Sequence, residues 1–291
     1  MNRNISYAFF GTGALAESVL ASLVRDGYIP KLVVTKPDSL QGRHMQLTAP
    51  HIKTWAEMKN ITVLQPNKLD DEFYQKLSVE KYDLFIVASY GKIIPENILS
   101  IAKHGTLNVH PSLLPLYRGP SPIESTLLDG NMITGISIMK LDKEMDHGPI
   151  LVQNSFTIQT ESTSGTLEVL CGQTGGELLT QVLEPYLSGN LIPKEQDHSK
   201  ATFCKKITKD LGEITLETNA NEVRRKFRAL TPWPSLYFFY QHKDKTIRIK
   251  VTNVDLITEI EKDKKAKDII LSVIPEGKKE TSFESFLLGY K

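Results

Sequence analysis

From Ser6 to Leu141 short apolar runs alternate with segments of helical period, and this alternation constrains the fold more than any other feature. Ser6–Phe10 reads as a strand, Gly11-Thr12-Gly13 as a turn, and Ala14–Asp26 as a helix with apolar residues at 15, 19, 20, 23 and 24. Further strands are expected at Lys31–Thr35, Ile61–Leu64, Leu84–Ala88, Thr106–Val109 and Gly135–Leu141. Helices are expected at Pro50–Lys59, Asp70–Val79 and Pro95–Ala102, and a polar loop at Lys36–Thr48. Strands and helices alternating at this spacing predict an α/β domain with a mostly parallel sheet covered by helices. Leu84–Ala88 is apolar throughout, as a strand buried on both faces must be.

A helical stretch, Gly165–Leu187, closes this domain at about residue 190, and a polar connector runs over 191–206. The remainder, 207–291, has a different character. A helix near Asn221–Leu230 precedes β-like runs at Leu236–Tyr240, Thr246–Val254 and Ile269–Ile274, the pattern of a small β-rich domain or barrel. At 40% hydrophobic and 24% charged residues the chain is neither disordered, collagen-like nor a coiled coil. Two distant cysteines, Cys171 and Cys204, support neither a disulfide framework nor a zinc site, so no metal is expected. Gly11, Gly13 and Glu17 interrupt the one apolar N-terminal stretch, which argues against a signal peptide. No apolar run reaches the length of about 18 residues that a membrane span needs. A soluble cytoplasmic protein is expected.

Net charge is +1, which by itself argues against a nucleic-acid partner. The average conceals a division. Residues 1–199 carry 16 Lys/Arg against 21 Asp/Glu, a net of −5, and residues 200–291 carry 19 against 13, a net of +6. Such asymmetry marks the second half as a candidate polyanion-binding region. Arg224, Arg225 and Arg228 on one helix, with Lys205, Lys206 and Lys209 near the connector, are the candidate phosphate contacts. Trp233, between two prolines, either stacks on a base or anchors the domain.

Two segments carry candidate chemistry. Gly11-Thr12-Gly13-Ala14-Leu15-Ala16 fits the glycine turn that lets a backbone approach a pyrophosphate at a helix N-terminus. The acidic residue such a site needs at the end of the second strand is missing, because Asp38 arrives late, behind Pro37. A turn serving packing alone is the competing reading. The second segment is Gly105–Gly119. Asn108 and His110 are two residues apart, so on an extended backbone both project from one face. An imidazole beside an amide donor can move a proton while the amide stabilises an oxyanion. Downstream, Asp146 lies on the loop Asp142–Pro149, where a carboxylate could orient His110, and the adjoining His147 competes for the role of base. Together they suit acyl transfer.

Asn108-Val-His110-Pro-Ser-Leu-Leu-Pro-Leu-Tyr-Arg118-Gly119, Thr134-Gly135-Ile-Ser-Ile-Met and Met145-Asp146-His147-Gly148-Pro-Ile-Leu resemble the folate-dependent formyltransferases. Thr35-Lys-Pro-Asp38 with Gly42-Arg43, Tyr90-Gly91-Lys-Ile-Ile-Pro95, Thr163–Leu167, Arg228-Ala-Leu-Thr-Pro-Trp233-Pro234 and the tail around Pro275–Lys279 and Phe286–Gly289 extend the resemblance over nearly the whole chain. They point to the branch acting on methionyl-tRNA. The resemblance implies a Rossmann-like formyltransferase domain (1–190), a linker (191–206) and a C-terminal β-barrel of oligonucleotide-binding type that grips tRNA (207–291). It implies 10-formyltetrahydrofolate as donor and the α-amino group of initiator Met-tRNA as acceptor, with no metal. Asn108 would hold the formyl oxygen, His110 would assist proton transfer, and Asp146 would orient His110. Ser89, Tyr90, Gly91, Lys92 and Ile93 with Ser112, Leu113, Leu114 and Pro115 would line the folate pocket, and Arg43 would contact tRNA.

Two departures stand out. Lysines usual after Arg43 are absent, and the stretch from Val254 to Val273 is shorter than in the family, which predicts a reduced barrel. A monomer is expected. The competing enzyme is a folate-dependent formyltransferase acting on an aminosugar nucleotide or glycinamide ribonucleotide, which has no need of a basic tail. An NAD-dependent oxidoreductase built on the glycine turn and a non-enzymatic RNA-binding protein are the other classes.

Overall fold

The structure, a computed structural model, describes residues 5–41, 45–259, 261 and 263–289. The chain forms two compact units, and neither is a single stretch of sequence. The first comprises Met1–Pro120, Thr134–Phe156 and Glu168–Phe203, and the second Ser121–Ile133, Thr157–Leu167 and Cys204–Lys291.

In chain order the elements begin with β1 (Tyr7–Gly11), α1 (Gly13–Arg25), β2 (Leu32–Val34), the hairpin strands β3 (Ser39–Gln41) and β4 (Gln46–Thr48), α2 (His51–Met58) and β5 (Thr62–Leu64). Next come α3 (Asp71–Ser78), β6 (Leu84–Ala88), α4 (Glu96–Leu99), β7 (Thr106–His110), α5 (Pro122–Leu128), β8 (Ile133–Lys140), β9 (Ile150–Thr157) and α6 (Ser164–Leu187). The central sheet has the order β5-β2-β1-β6-β7-β8-β9. Its first five members are parallel, and β8 runs antiparallel to β7. The expected α/β architecture with a mostly parallel sheet is therefore present. Every residue of β1 and β6 is buried, which is why both read as unbroken apolar runs.

Helix α6 approaches the sheet closely because glycines face its neighbours. A Cβ at Gly175 would stand 2.4 Å from Val109 Cγ1, and one at Gly176 would stand 2.5 Å from Ser22 Cβ of α1. Val109 lies between Asn108 and His110, so this contact braces the strand that carries them.

Three elements escape the apolar pattern. Strand β9 lies at the sheet edge and exposes much of its polar second half. Helix α5 is only seven residues long. The loop over 36–48 contains the β3–β4 hairpin, whose Leu40 and Leu47 are exposed.

In the second unit α7 (Ala220–Leu230) precedes β10 (Tyr237–His242), β11 (Lys245–Val254), α8 (Ala266–Ile269), β12 (Ile270–Pro275), β13 (Thr281–Ser282) and α9 (Phe283–Gly289). The strands form a four-stranded antiparallel sheet in sequence order. Its core is aromatic, with Phe238 edge-on to Phe283 and Phe286. Helix α7 buries Val223, Phe227 and Leu230 and packs against α5, whose Ile123 and Leu127 are buried. Asn219 caps it by accepting from the Asn221 N–H at 3.0 Å. Between Val254 and Val273 the chain makes a bend and the short α8 before joining β12. Among the described residues no helix is long and apolar enough to cross a membrane.

Candidate active site

Strand β7 sets the chemistry by its alternation: Asn108 and His110 share one face, and Val109 points into the core at 1% exposure. His110 is 4% exposed and fixed through one ring nitrogen. Its Nε2–H donates to the Tyr117 carbonyl at 2.9 Å, and its Nδ1 faces Asp146 Oδ1 at 3.6 Å. Asp146 Oδ2 accepts the Gly119 N–H at 2.7 Å. The loop after β7 thus supplies one partner to each member of the His110–Asp146 pair.

Asp146 does not arrive from where a parallel sheet would deliver it. Because β8 is antiparallel to β7, with Ser137 opposite His110 and Lys140 opposite Leu107, the loop after β8 leaves from the far end of β7. It must fold back along the sheet to bring Asp146 to His110. Asp146 and Tyr117 both adopt left-handed backbone conformations, at φ 49° and 58°. For residues other than glycine that conformation costs roughly 1–3 kcal/mol and persists only where the surroundings hold it. His147, the rival base, is committed elsewhere: its Nδ1 lies 2.8 Å from Asp142 Oδ2 and its ring stacks on His198 at 4.0 Å.

The two segments expected to line a folate pocket leave the carboxyl ends of adjacent parallel strands, β6 and β7. Ser89 and Gly91 take positive φ, 47° and 70°, and Ile93 is 86% exposed. Tyr90 turns inward onto Phe10, with ring centroids 5.6 Å apart. Its hydroxyl has no hydrogen-bond partner among the described residues, and burial pushes the phenol up to about 12. Lys92 donates to the carbonyls of Pro66 and Asn67 at 2.7 and 2.9 Å, and desolvation followed by Lys36 lowers its ammonium from the usual range. In the second segment Ser112 and Leu114 are buried and Leu113 and Pro115 half-buried, about the cis Leu114–Pro115 bond. Ser137 shapes this loop by donating to the Ser112 carbonyl at 2.6 Å and accepting the Leu114 N–H at 3.0 Å. Gln153 adds a bond to the Leu114 carbonyl at 2.9 Å.

The glycine turn resolves in favour of packing. A Cβ at Gly11 would meet Ala16 Cβ at 2.6 Å. The N-terminus of α1, where a pyrophosphate would sit, is met by the chain's own Glu168 carboxylate, 3.4 Å from the Leu15 nitrogen. Burial raises the pKa of that carboxyl, and the Leu15 N–H partly offsets the rise. Asp38 is held by Lys53 at 3.0 Å and Gln65 at 2.7 Å, so it is not presented to a ribose.

The basic candidates divide. Lys205, Lys206, Lys209 and Arg225 are exposed. Arg224 is taken up by the Asp255 and Thr258 carbonyls at 2.6 and 2.7 Å, with the Asp255 carboxylate at 3.5 Å. Arg228 is 8% exposed and donates to the carbonyls of Ser162 and Gln159 at 2.9 and 3.0 Å, so it is not displayed to a phosphate. Trp233 is half exposed. Arg43 lies outside the described residues.

Sequence reasoning missed Ser137, Gln153, Glu168 and, above all, Gln196. The last is buried in the segment 191–206, of which residues 191–203 belong to the first unit and are bonded within it on both sides of Gln196. Lys194 and Ile150 exchange two backbone hydrogen bonds of 2.8 Å, and Arg118 N–H donates to the Thr202 carbonyl at 2.8 Å. Gln196 and Arg118 mark themselves only as polar residues at 6% and 4% exposure.

Comparison with known proteins gives the family. The formyl transferase family model matches residues 3–183, and the model of the formyl transferase C-terminal domain matches 206–272. A methionyl-tRNA formyltransferase of Caldanaerobacter subterraneus is 34% identical over 97% of this chain and 96% of its own. One from Chloroflexus aurantiacus is 40% identical over 85% of this chain and 80% of its own. Among solved structures, HypX from Aquifex aeolicus in complex with tetrahydrofolic acid has a TM-score of 0.68 at 15% identity, covering 99% of this chain and 48% of that one. The N-formyltransferase from Helicobacter canadensis, bound to folinic acid and dTDP-3-aminofucose, has a TM-score of 0.62 at 16% identity, covering 95% of this chain and all of that one. These two likenesses concern the fold. By its family models and its near full-length curated relatives, the chain belongs to the formyl transferase family, among the methionyl-tRNA formyltransferases.

Proposed function

We propose that this enzyme transfers the formyl group of 10-formyltetrahydrofolate to the α-amino group of methionine esterified to initiator tRNA. The observation that carries the chemistry is the buried His110 imidazole facing Asp146 on the strand that also presents Asn108. The neutral amine attacks the formyl carbon, and the carbonyl electron pair moves onto oxygen. Asn108 donates its side-chain N–H to that oxyanion, an interaction that strengthens as charge develops. With Nε2–H given to Tyr117, Nδ1 of His110 is free to take the proton that the amine sheds, and Asp146 stabilises the resulting imidazolium. Collapse breaks the bond from carbon to N10 of the folate, which receives the proton and leaves as tetrahydrofolate.

The segments at 89–93 and 112–115 would line the folate pocket, the former through its backbone and exposed side chains because Tyr90 points into the core. Residues 1–190 would form the catalytic domain and 191–206 the connector, with 207–291 holding tRNA through exposed Lys205, Lys206, Lys209 and Arg225. The enzyme would act as a cytoplasmic monomer. Sugar formyltransferases share the fold, so the discriminating assay offers Met-tRNA, free methionine and an aminosugar nucleotide with 10-formyltetrahydrofolate. Transfer to Met-tRNA is expected, and transfer to the sugar alone would overturn the proposal.

A further inference from the structure

We propose that Gln196 is a positioning residue that sets the Asp146 carboxylate against His110. The inference rests on the reading of Asp146 and His110 just given. It starts from a full accounting of one buried carboxamide. Nε2 donates to the carbonyls of Asp146 and Gly148 at 2.9 and 2.7 Å, and Oε1 accepts from Arg118 Nε and Nη2 at 3.2 and 2.7 Å. Both amide protons and both lone pairs are used. Guanidinium groups only donate and carbonyls only accept, so the amide has one possible orientation. Arg118 Nη2 also donates to His198 Nδ1 at 2.8 Å, which fixes the guanidinium from a second side.

These bonds close a ring. Arg118 holds Gln196, Gln196 holds the Asp146 carbonyl, and the Asp146 carboxylate returns to the Gly119 N–H next to Arg118. The loop over 141–149 therefore meets the loop after β7 twice, once through the carboxylate and once through Gln196. Such holding is needed here because the strand direction does not supply it: the loop doubles back from the far end of β7 and places Asp146 in a left-handed conformation. Gln196 is itself anchored by the Lys194–Ile150 pairing before it and the Thr202–Arg118 bond after it. A non-polar residue at 196 would remove the donor from the buried Gly148 carbonyl and the part-buried Asp146 carbonyl and free the loop. Displacement of about 1 Å in a catalytic group can cost 100-fold in rate.

The test compares Gln196→Met, Gln196→Glu and Asp146→Asn with wild type in formyl transfer, with melting curves for each. Gln196→Met is expected to lower kcat about 10- to 100-fold, with KM for Met-tRNA and for 10-formyltetrahydrofolate within about twofold. Gln196→Glu keeps the Arg118 acceptor but turns an oxygen toward two carbonyls, and it should lose kcat to a similar extent. If Gln196→Met melts below the assay temperature, Gln196→Glu decides. Measured by single turnover, adding Gln196→Met to Asp146→Asn should change the rate less than twofold, because the two act on one group. Unchanged kcat in the Gln196 variants, a loss confined to KM, or a full additional loss in the double variant would overturn the proposal. Near-normal turnover by Asp146→Asn alone would instead remove the reading on which it rests.

Discussion

Arg118 in the first unit and Arg228 in the second are both buried arginines, 4% and 8% exposed, yet they are used differently. Arg118 gives its guanidinium to two side chains, Gln196 and His198, and the former carries the contact on to the Asp146 loop. Arg228 ends directly on the carbonyls of Ser162 and Gln159, fastening a connecting segment to its helix. Planar, multiply donating guanidinium suits both tasks. A chain of side chains can transmit position to a reacting group; bonds that end on backbone carbonyls only hold the chain together. Buried charge alone therefore does not distinguish chemistry from construction, and the next atom along does.

The comparison can be broken at several points. Asn108→Ala should produce the largest effect, a loss in kcat of about 100- to 1,000-fold, as for one oxyanion donor in other acyl-transfer enzymes. Turnover close to wild type in a steady-state assay would remove the catalytic role of that face. Next, Arg118→Met and Arg228→Met should differ in where the damage falls. Losing the hydrogen bonds from the buried, charged guanidinium to the carbonyls of Ser162 and Gln159 should cost about 1.5–3 kcal/mol, read as a lower melting temperature for Arg228→Met. Arg118→Met should lose more in kcat than its melting curve explains. Equal profiles for the two would erase the contrast drawn above.

Replacing Lys205, Lys206 and Lys209 with glutamine is expected to raise KM for Met-tRNA and leave kcat within about twofold. It should flatten the salt dependence of binding by roughly one unit of log–log slope per lost phosphate contact. A slope equal to that of wild type would remove these lysines from the tRNA surface.

The smallest effect concerns Asp255. Hydrogen bonds from Thr258, first the side chain and then the backbone N–H, with the Ile257 N–H, hold its carboxyl down to about 2. A carboxylate depressed by folding adds stability above its unfolded value, near 3.9, and loses it as pH falls toward 2. The stability difference between wild type and Asp255→Asn should thus be full at pH 5 and fade below pH 4. A difference constant from pH 5 to pH 2, followed by circular dichroism, would show that the charge contributes nothing.

Much of this was legible in the sequence. The apolar runs located the sheet, and the structure sets His110 opposite Asp146 at 3.6 Å, with Asn108 two residues before His110 on β7. The Gln196 connection was not legible, for a physical reason. Its work is done on backbone carbonyls fifty residues away, and carbonyls carry no residue identity to match. Helix α5 and strand β9 were missed because one is short and the other is half polar. Arg224 and Arg228 read as a basic face because no sequence pattern tells a displayed guanidinium from a committed one. The fold-back after β8 depends on one antiparallel pairing, which alternation alone cannot foresee.

The chain passes between its two compact units five times, at 120/121, 133/134, 156/157, 167/168 and 203/204. The units are therefore not beads on a thread. A polypeptide ended at residue 203 would carry α5 without α7, leaving Ile123 and Leu127 with no helix to cover them, and one begun at 204 would lack α5 altogether. A gene that acquired residues 204–291 by simple end-joining would have needed matching changes within residues 121–133 and 157–167. Swapping tails between relatives should fail unless residues 121–133 and 157–167 travel with them.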